Sequence, residues 1–186
     1  MAVKKMLSGT GMDRMPDMAF RAMSLMFRIR DALLHPDRKL DKFGIKPGDT
    51  VVDYGCGPGG YIRKAAELVG PGGMVYALDL HELAVESVDR LVSARGIANV
   101  KTSLIRDYSS GLESGIADLV YALDMFHMVA DPARFLQEIR RIIKKSGRLI
   151  LEDGHQPRTL TRQKVQDSGL WNIAGEIPGW LVCRPL

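Results

Sequence analysis

The sequence predicts an α/β fold built on a largely parallel sheet with helices on both faces. Three observations lead to this prediction. From Thr50 onward, short apolar runs alternate with helical patterns, which is typical of βαβ units. A glycine-rich turn follows the first apolar run in "VVDYGCGPGG" at 51–60. Two apolar runs close the chain with little more than Pro178 between them, and so short a link predicts an antiparallel hairpin.

The apolar runs predict five strands, at 50–54, 74–79, 100–104, 117–122 and 147–152. Helical patterns lie between them at 59–69, 81–94 and 131–144, and each ends at a glycine-containing segment: "VGPGG", "ARG" and "SG". In the third helix we expect Asp131 as the N-cap and Pro132 as the first helical residue. Its apolar residues recur on one face, which should lie against the sheet: Phe135, Leu136, Ile139, Ile142 and Ile143.

The two ends of the chain complete the predicted elements. "TLTRQKVQDSG" at 159–169 predicts the last helix, and "LWNIAGEI" and "GWLVCR" predict the strands of the hairpin. "MAFRAMSLMFRIRDALL" at 18–34 predicts a helix with apolar residues at helical spacing: Met18, Ala22, Leu25, Met26, Ile29 and Leu33. We expect a single domain over 1–186, with a mobile tail at 1–14, a helical lid at 15–45 and the core at 46–186.

Composition narrows the class of protein. The 186 residues are 46% hydrophobic and 26% charged, with no apolar run long enough to span a bilayer. Two cysteines are too few for a disulfide framework or a thiolate metal site, and a cytoplasmic location is predicted. The net charge is +4, but acids and bases are interspersed, so nucleic-acid binding is not favoured and is not excluded.

The glycine loop at 55–60 predicts a ligand that approaches the backbone closely. It fits the dinucleotide pattern G-x-G-x-x-G and also D-x-G-x-G-x-G beginning at Asp53. Asp53 separates the two interpretations, because its carboxylate would repel a pyrophosphate and attract a ligand that carries an ammonium and a sulfonium. A nicotinamide dehydrogenase is therefore disfavoured.

Two further acids follow predicted strands. Asp79 ends the second strand, where an acid can accept both hydroxyls of a ribose; the alternative is an N-cap for the helix near His81. Asp107, in "LIRDYSS" after the third strand, could accept an adenine amine with Tyr108 nearby; the alternative is a solvated loop acid. His35 and His81 are expected to be surface or capping residues.

These motifs, with "ADLVYALDMFHMV" and the closing hairpin, resemble a class I S-adenosylmethionine-dependent methyltransferase over about residues 40–186. The resemblance implies a seven-stranded Rossmann-like sheet in the order 3-2-1-4-5-7-6 with the seventh strand antiparallel. It implies that Asp53, Gly55 and Gly57 hold the methionine end of S-adenosyl-L-methionine. Asp79 would bind the ribose. The other implied cofactor residues are Tyr54, Cys56, Tyr61, Leu80, Asp107, Tyr108, Ala122, Leu123 and Asp124.

The resemblance implies an enzyme that transfers a methyl group to an acceptor and releases S-adenosyl-L-homocysteine. We predict a small-molecule acceptor, because no Asn-Pro-Pro-Tyr or Asp-Pro-Pro-Tyr segment follows the fourth strand. The methionine-rich lid suits an apolar or aromatic acceptor; the alternative is that this helix only packs on the sheet. The segment "MSLMFRIRDALLHPDRKLDKFGIKPGDTVVDYGCG" resembles the ubiquinone and menaquinone C-methyltransferase group, without assigning a quinone.

Catalytic residues are less determined by the sequence. His127 and His155 lie after the fourth and fifth predicted strands and are candidate general bases; the alternative is a local structural role. Glu152 and Asp153 could hold a cation with Asp124, but the spacing does not match metal-assisted methyltransferases, so no metal is predicted.

Methylation of RNA or protein remains open because of Arg158, Arg162 and Lys164. A non-catalytic S-adenosylmethionine-binding module is also open, and the oligomeric state is not predicted.

Overall fold

A computed structural model describes residues 14–186, and the tail predicted at 1–14 lies almost wholly outside the described residues. Seven strands form one sheet in the order β3-β2-β1-β4-β5-β7-β6. In chain order they are β1 Thr50–Tyr54, β2 Met74–Asp79, β3 Val100–Leu104, β4 Ala117–Ala122, β5 Ile143–Glu152, β6 Trp171–Ile177 and β7 Trp180–Pro185. The predicted strand order is confirmed.

Strand direction also matches the prediction. Strands β3, β2, β1, β4 and β5 pair in parallel, while β7 is antiparallel to both β5 and β6. The order reverses at β1, where β2 lies on one side and β4 on the other. Parallel α/β sheets bind ligands at the carboxyl ends of the strands beside such a switch point, so the fold places a site above β1 and β4.

Within residues 14–186, five α-helices accompany the sheet: α1 Asp17–Leu34, α2 Ile62–Val69, α3 Glu82–Arg95, α4 Pro132–Ile142 and α5 Arg158–Asp167. The same part of the chain has 3₁₀ helices at Pro36–Lys42 and Phe126–Met128. One core cluster joins α2 and Val88 of α3 to the sheet, and a second joins α4 and Val165 of α5 to it. The sheet is therefore covered on both faces, as predicted. No helix within residues 14–186 is long and apolar enough to cross a membrane.

Helix ends follow local side-chain chemistry. Asp131 accepts a hydrogen bond from the backbone N–H of Arg134 and Pro132 opens α4, as predicted. The cap of α3 is His81, whose Nδ1 accepts from the N–H of Leu83. Phe135, Leu136, Ile139 and Ile142 of α4 are buried, which confirms the predicted sheet-facing side.

Two predicted boundaries are wrong. The helix predicted at 59–69 begins only at Ile62, because Gly59 has φ +92° and Tyr61 is the N-cap. The helix predicted at 131–144 ends at Ile142, and β5 begins at once with Ile143, which pairs with Ala117. Gly147 lies inside β5 rather than stopping a helix. A Cβ there would come 2.6 Å from Cγ1 of Ile143 and 3.0 Å from the carbonyl oxygen of Ala117.

The apolar face predicted for the first helix does not face the protein. Met18, Leu25, Met26, Ile29 and Leu33 are all more than half exposed. Phe20 and Ser24 of α1 are buried, and Phe20 stacks on the ring of His81 with 4.2 Å between ring centroids. The sequence periodicity therefore identified the outer side of α1.

Candidate cofactor and acceptor cleft

The loop after β1 presents its backbone to a cleft at the carboxyl ends of the strands. Gly55 and Gly57 both line this cleft and have φ of +86° and +51°. The N–H groups of Gly55 and Cys56 both donate to the carbonyl oxygen of Leu78, at 2.8 and 2.9 Å, which ties the loop to β2. A Cβ on Gly57 would meet nothing within 4 Å, so the space above this backbone is open to a ligand.

Asp79 lies at the end of β2 and organises the turn. Its Oδ2 accepts from the N–H of Gly57 at 2.8 Å, and its Oδ1 accepts from the N–H of His81 at 2.9 Å. Burial raises the pKa of Asp79, and the backbone N–H donors oppose that rise. The carboxyl group therefore connects the glycine loop to the start of α3 while lining the cleft.

Asp53 lies behind the loop rather than on the cleft wall. It is 1% exposed, and its Oδ2 accepts from the hydroxyl of Tyr121 at 3.1 Å. Burial raises the pKa of Asp53 to about 8; the Tyr121 hydrogen bond opposes this, and nearby Asp79 adds to it. At neutral pH the buried carboxyl is mostly protonated.

The cleft is open to solvent on one side, and its space amounts to about 960 Å³ when the open mouth is counted. Helix α1 covers one side with Phe20, Met23 and Phe27. The opposite walls come from the ends of β1 to β4 and the loops after them. Apolar side chains dominate these walls: Leu80, Ile105, Leu123, Met125, Met128, Val129 and Phe135.

The loop after β3 forms one end of the cleft. Asp107 and Tyr108 line it, both with left-handed backbone at φ +50° and +64°. Arg134 donates to Oδ2 of Asp107 at 2.8 Å and holds the pKa of that exposed carboxyl below its usual range. The hydroxyl of Tyr54 donates to the carbonyl oxygen of Tyr108 at 2.8 Å and fixes the loop to β1.

Asp124, after β4, lines the cleft near α1. Its φ is +56°, and its N–H donates to Oε2 of Glu152 at 3.0 Å. Its Oδ2 accepts from Nη1 of Arg30 at 3.0 Å and from the hydroxyl of Tyr61 at 3.4 Å. Burial alone would raise the pKa of Asp124, but Arg30 and the charge of Lys39 hold it below its usual range. The Arg30–Asp124 ion pair joins the middle of α1 to the cleft.

His127 and His155 lie together outside the cleft lining. Their ring centroids are 5.0 Å apart in an edge-to-face arrangement. Nδ1 of His127 is buried without a hydrogen-bond partner, and a Cβ on Gly154 would overlap it. Burial, with a smaller effect of His155, lowers the pKa of His127. Neither histidine is among the residues that line the cleft, and catalysis by either one stays a prediction.

The acids considered as metal ligands are bonded to bases. Glu152 accepts from Lys39 at 2.6 Å, and Asp153 pairs with Arg158 at 2.7 Å. Within residues 14–186 no group of three or more histidine, cysteine or acidic side chains is arranged to hold a metal ion.

The structure brings most predicted cofactor residues to one cleft. Those on its wall are Tyr54, Gly55, Gly57, Asp79, Leu80, Asp107, Tyr108, Leu123 and Asp124. Those beneath the surface are Asp53, Cys56, Tyr61 and Ala122, all 7% exposed or less. His81 caps α3, which was one of the two roles expected for it. Sequence reasoning missed that it is buried and lines the cleft, and its position beside Leu80 was the available signal.

The strand order, the antiparallel β7, the glycine loop after β1 and the acid that ends β2 define a class I S-adenosylmethionine-dependent methyltransferase. A SAM-dependent methyltransferase from Aquifex aeolicus has the same fold, with a TM-score of 0.77, 25% identity and coverage of 84% of this chain and 93% of that one. The chain belongs to the family described as "methyltransferase domain", whose sequence profile matches residues 45–180.

Curated relatives include enzymes that are named for small-molecule acceptors. Nocamycin O-methyltransferase of Saccharothrix syringae is 30% identical over 123 residues, which cover 66% of this chain and 44% of the relative. The 2-phytyl-1,4-naphtoquinone methyltransferase of Trichormus variabilis is 29% identical over 123 residues, covering 61% of this chain and 50% of the relative. The chain thus spans half or less of the length of these two relatives.

Proposed function

We propose that the cleft binds S-adenosyl-L-methionine and that the protein transfers its methyl group to a small apolar or aromatic acceptor. The observation that carries this proposal is the composition of the cleft. Exposed loop backbone and the carboxyl group of Asp79 lie at its base, and mostly apolar side chains form its walls. This arrangement suits a nucleoside cofactor beside an apolar substrate.

The residues present fit the proposed cofactor. The open space above Gly57 allows a ligand to contact the loop backbone directly. Asp79 accepts from the N–H of Gly57 on Oδ2 and from the N–H of His81 on Oδ1, with Leu80 as a further backbone donor. A carboxylate has about four acceptor positions, so capacity remains for a ribose hydroxyl. Tyr108 and Leu80 provide surface for an adenine ring at the end of the cleft that Asp107 borders. When bound, the cofactor supplies an electrophilic methyl group on a sulfonium.

The acceptor side of the cleft supports an apolar substrate. Met23 and Phe27 of α1 line the same cleft as Met125 and Met128 of the loop after β4. Methionine side chains adapt to ligands of varied shape. The chain's own contribution is to orient the acceptor and to exclude water, which together account for much of the barrier reduction in a displacement reaction. The two relatives named for nocamycin and for a phytyl naphthoquinone are consistent with this class of acceptor.

Calorimetric titration with S-adenosylmethionine, S-adenosylhomocysteine and NADH tests the cofactor. We expect binding of both adenosyl ligands and none of NADH. Asp79→Asn keeps the shape of the side chain but replaces an acceptor with a donor, so affinity should fall by about tenfold, the scale of a lost hydrogen bond to a charged group. Asp167→Asn, at the exposed end of α5, is the matched control and should bind as the wild type does.

Release of S-adenosylhomocysteine in the presence of separate acceptor pools tests the acceptor. We expect release with aromatic hydroxyls or hydroquinones. Release with an RNA pool alone would overturn the acceptor assignment, and binding without release in any pool would indicate a non-catalytic module. The bases that motivated the RNA alternative are engaged: Arg158 and Arg162 pair with Glu176, and Lys164 donates to Gln156.

A further inference from the structure

Helix α1 is apolar on two opposite sides. Its inner side, formed by Phe20, Met23 and Phe27, lines the cleft. Its outer side carries five large apolar side chains that are each between 57% and 81% exposed. We call this set the outer stripe: Met18, Leu25, Met26, Ile29 and Leu33.

The spacing makes the outer stripe continuous. At 3.6 residues per turn, positions 18, 25, 29 and 33 follow one another along one side of the helix, and positions 20, 23 and 27 fall on the other side. A surface helix of a globular protein normally presents polar residues to water on the face opposite its buried side. Monomeric soluble proteins rarely expose a continuous apolar patch of this kind unless it contacts something.

The net positive charge of the sequence falls within its first 50 residues, which include α1. Residues 1–50 contain ten lysines and arginines and six acids, whereas residues 51–186 contain sixteen of each. The whole net charge of +4 therefore belongs to the segment that carries α1. Arg21 is exposed on α1 itself, and Arg38 and Lys42 are exposed in the 3₁₀ helix that follows.

We propose that the outer stripe of α1 docks on the surface of an anionic lipid bilayer. An apolar helix face flanked by bases is the arrangement that interfacial helices use, with the apolar side chains among the acyl chains and the bases near the headgroups. Helix α1 does not qualify as a membrane span, which agrees with a helix that lies on the surface. A second copy of this chain is a poorer occupant, because a symmetric contact through α1 would bring two positively charged segments together.

Docking through α1 would also place the cleft close to the bilayer. Because the inner side of the same helix lines the cleft, the bilayer would lie one helix diameter from its wall. Under the proposed function, an apolar acceptor held in the bilayer would then lie close to the cleft. Only this consequence depends on the proposed function; the docking itself does not.

Vesicle cosedimentation of the full chain tests the proposal. We would compare vesicles of phosphatidylcholine with about 30% phosphatidylglycerol against pure phosphatidylcholine, at low and at high salt. The variant Leu25→Glu/Ile29→Glu places two charges on the outer stripe, and exposed positions should tolerate them in the fold. The control variant Leu160→Glu/Leu186→Glu changes two exposed leucines elsewhere by the same charge. Thermal unfolding and S-adenosylhomocysteine binding verify that all three proteins are folded.

We expect the wild type and the control to bind the anionic vesicles and to bind less at high salt. The stripe variant should lose about tenfold or more in partitioning, since two charges replace apolar contacts at the interface. Absence of wild-type binding to anionic vesicles overturns the proposal, as does equal binding of the two variants. A wild-type dimer that fails to bind vesicles and that the stripe variant converts to a monomer would instead assign the stripe to a contact between copies. Vesicle binding and oligomeric state can both be measured even if the protein transfers no methyl group, so failure of the proposed function and failure of the docking proposal are distinguishable.

Discussion

Replacing Asp53 by Asn should make the protein more stable at neutral pH, although Asp53 belongs to the glycine-loop motif. Asp53 is 1% exposed, and Tyr121 is the hydrogen-bond donor described for its side chain. A carboxyl group buried in this way retains its proton, because ionisation without a nearby cation is costly. Asparagine keeps an oxygen that can accept from Tyr121 and never has to ionise.

The magnitude follows from the pKa difference between the two states. Burial raises the pKa of Asp53 from 3.8 to about 8 in the folded protein. The folded state therefore binds more protons than the unfolded state between these values, so stability is greatest below pH 4 and falls as pH rises toward 8. A pH of 7 is about three units above the pKa of Asp53 in the unfolded state. This difference lowers the free energy of unfolding at pH 7 by about 4 kcal/mol.

Urea unfolding of the wild type and Asp53→Asn at several pH values from 4 to 8 measures this effect. The two curves should nearly meet at pH 4 and separate as pH rises, with the variant more stable by at least about 1 kcal/mol at pH 7. Other titrating groups are common to both proteins and cancel in the difference. A difference that does not change with pH, or a variant that is less stable at pH 7, would refute the reasoning.

Three other changes test the site. Gly57→Ala and the control Gly48→Ala both place alanine at positive φ, so both should lose about 1–2 kcal/mol of stability. Only Gly57→Ala should also weaken S-adenosylhomocysteine binding in a titration, because its Cβ would enter the cleft. Arg30→Ala breaks the half-buried pair with Asp124; unfolding should change by less than about 1 kcal/mol, and stopped-flow should show faster release of S-adenosylhomocysteine. An NMR titration of His127 should give a pKa below that of an ordinary histidine, since burial disfavours its charged form.

The strands were predictable because each apolar run is short and ends at a glycine or a charged residue. β1, β2, β3 and β4 have the predicted bounds. The α4–β5 junction was not predictable, because Ile142 and Ile143 continue a helical pattern while only the pairing of Ile143 with Ala117 selects the strand. A contact between residues distant in sequence overrides the local signal there.

The site was predictable where chemistry is tied to a strand end, as at Asp79. It was not predictable where a second segment completes it. The sequence showed that 18–34 is an apolar helix, but the strongest periodic face is the exposed one, while Phe20, Met23 and Phe27 form the shorter inner face. Arg30 likewise gave no signal, because its partner Asp124 lies 94 residues away in the chain.

Asp53 and Asp124, two of the acids predicted to bind the cofactor, have opposite electrostatic states. Asp124 is held ionised by Arg30, whereas Asp53 is held mostly protonated by burial. A cationic ligand therefore finds no unpaired negative charge in either group. The ligand is attracted to Asp124 only if it displaces Arg30, and this displacement breaks a contact of α1. It is attracted to Asp53 only if the carboxyl group of Asp53 loses its proton. If the cofactor pairs with Asp124, its affinity should be nearly independent of pH near neutrality. If it pairs with Asp53, its affinity should increase as pH rises toward 8. The pH dependence of S-adenosylmethionine affinity therefore identifies which acid the cofactor uses.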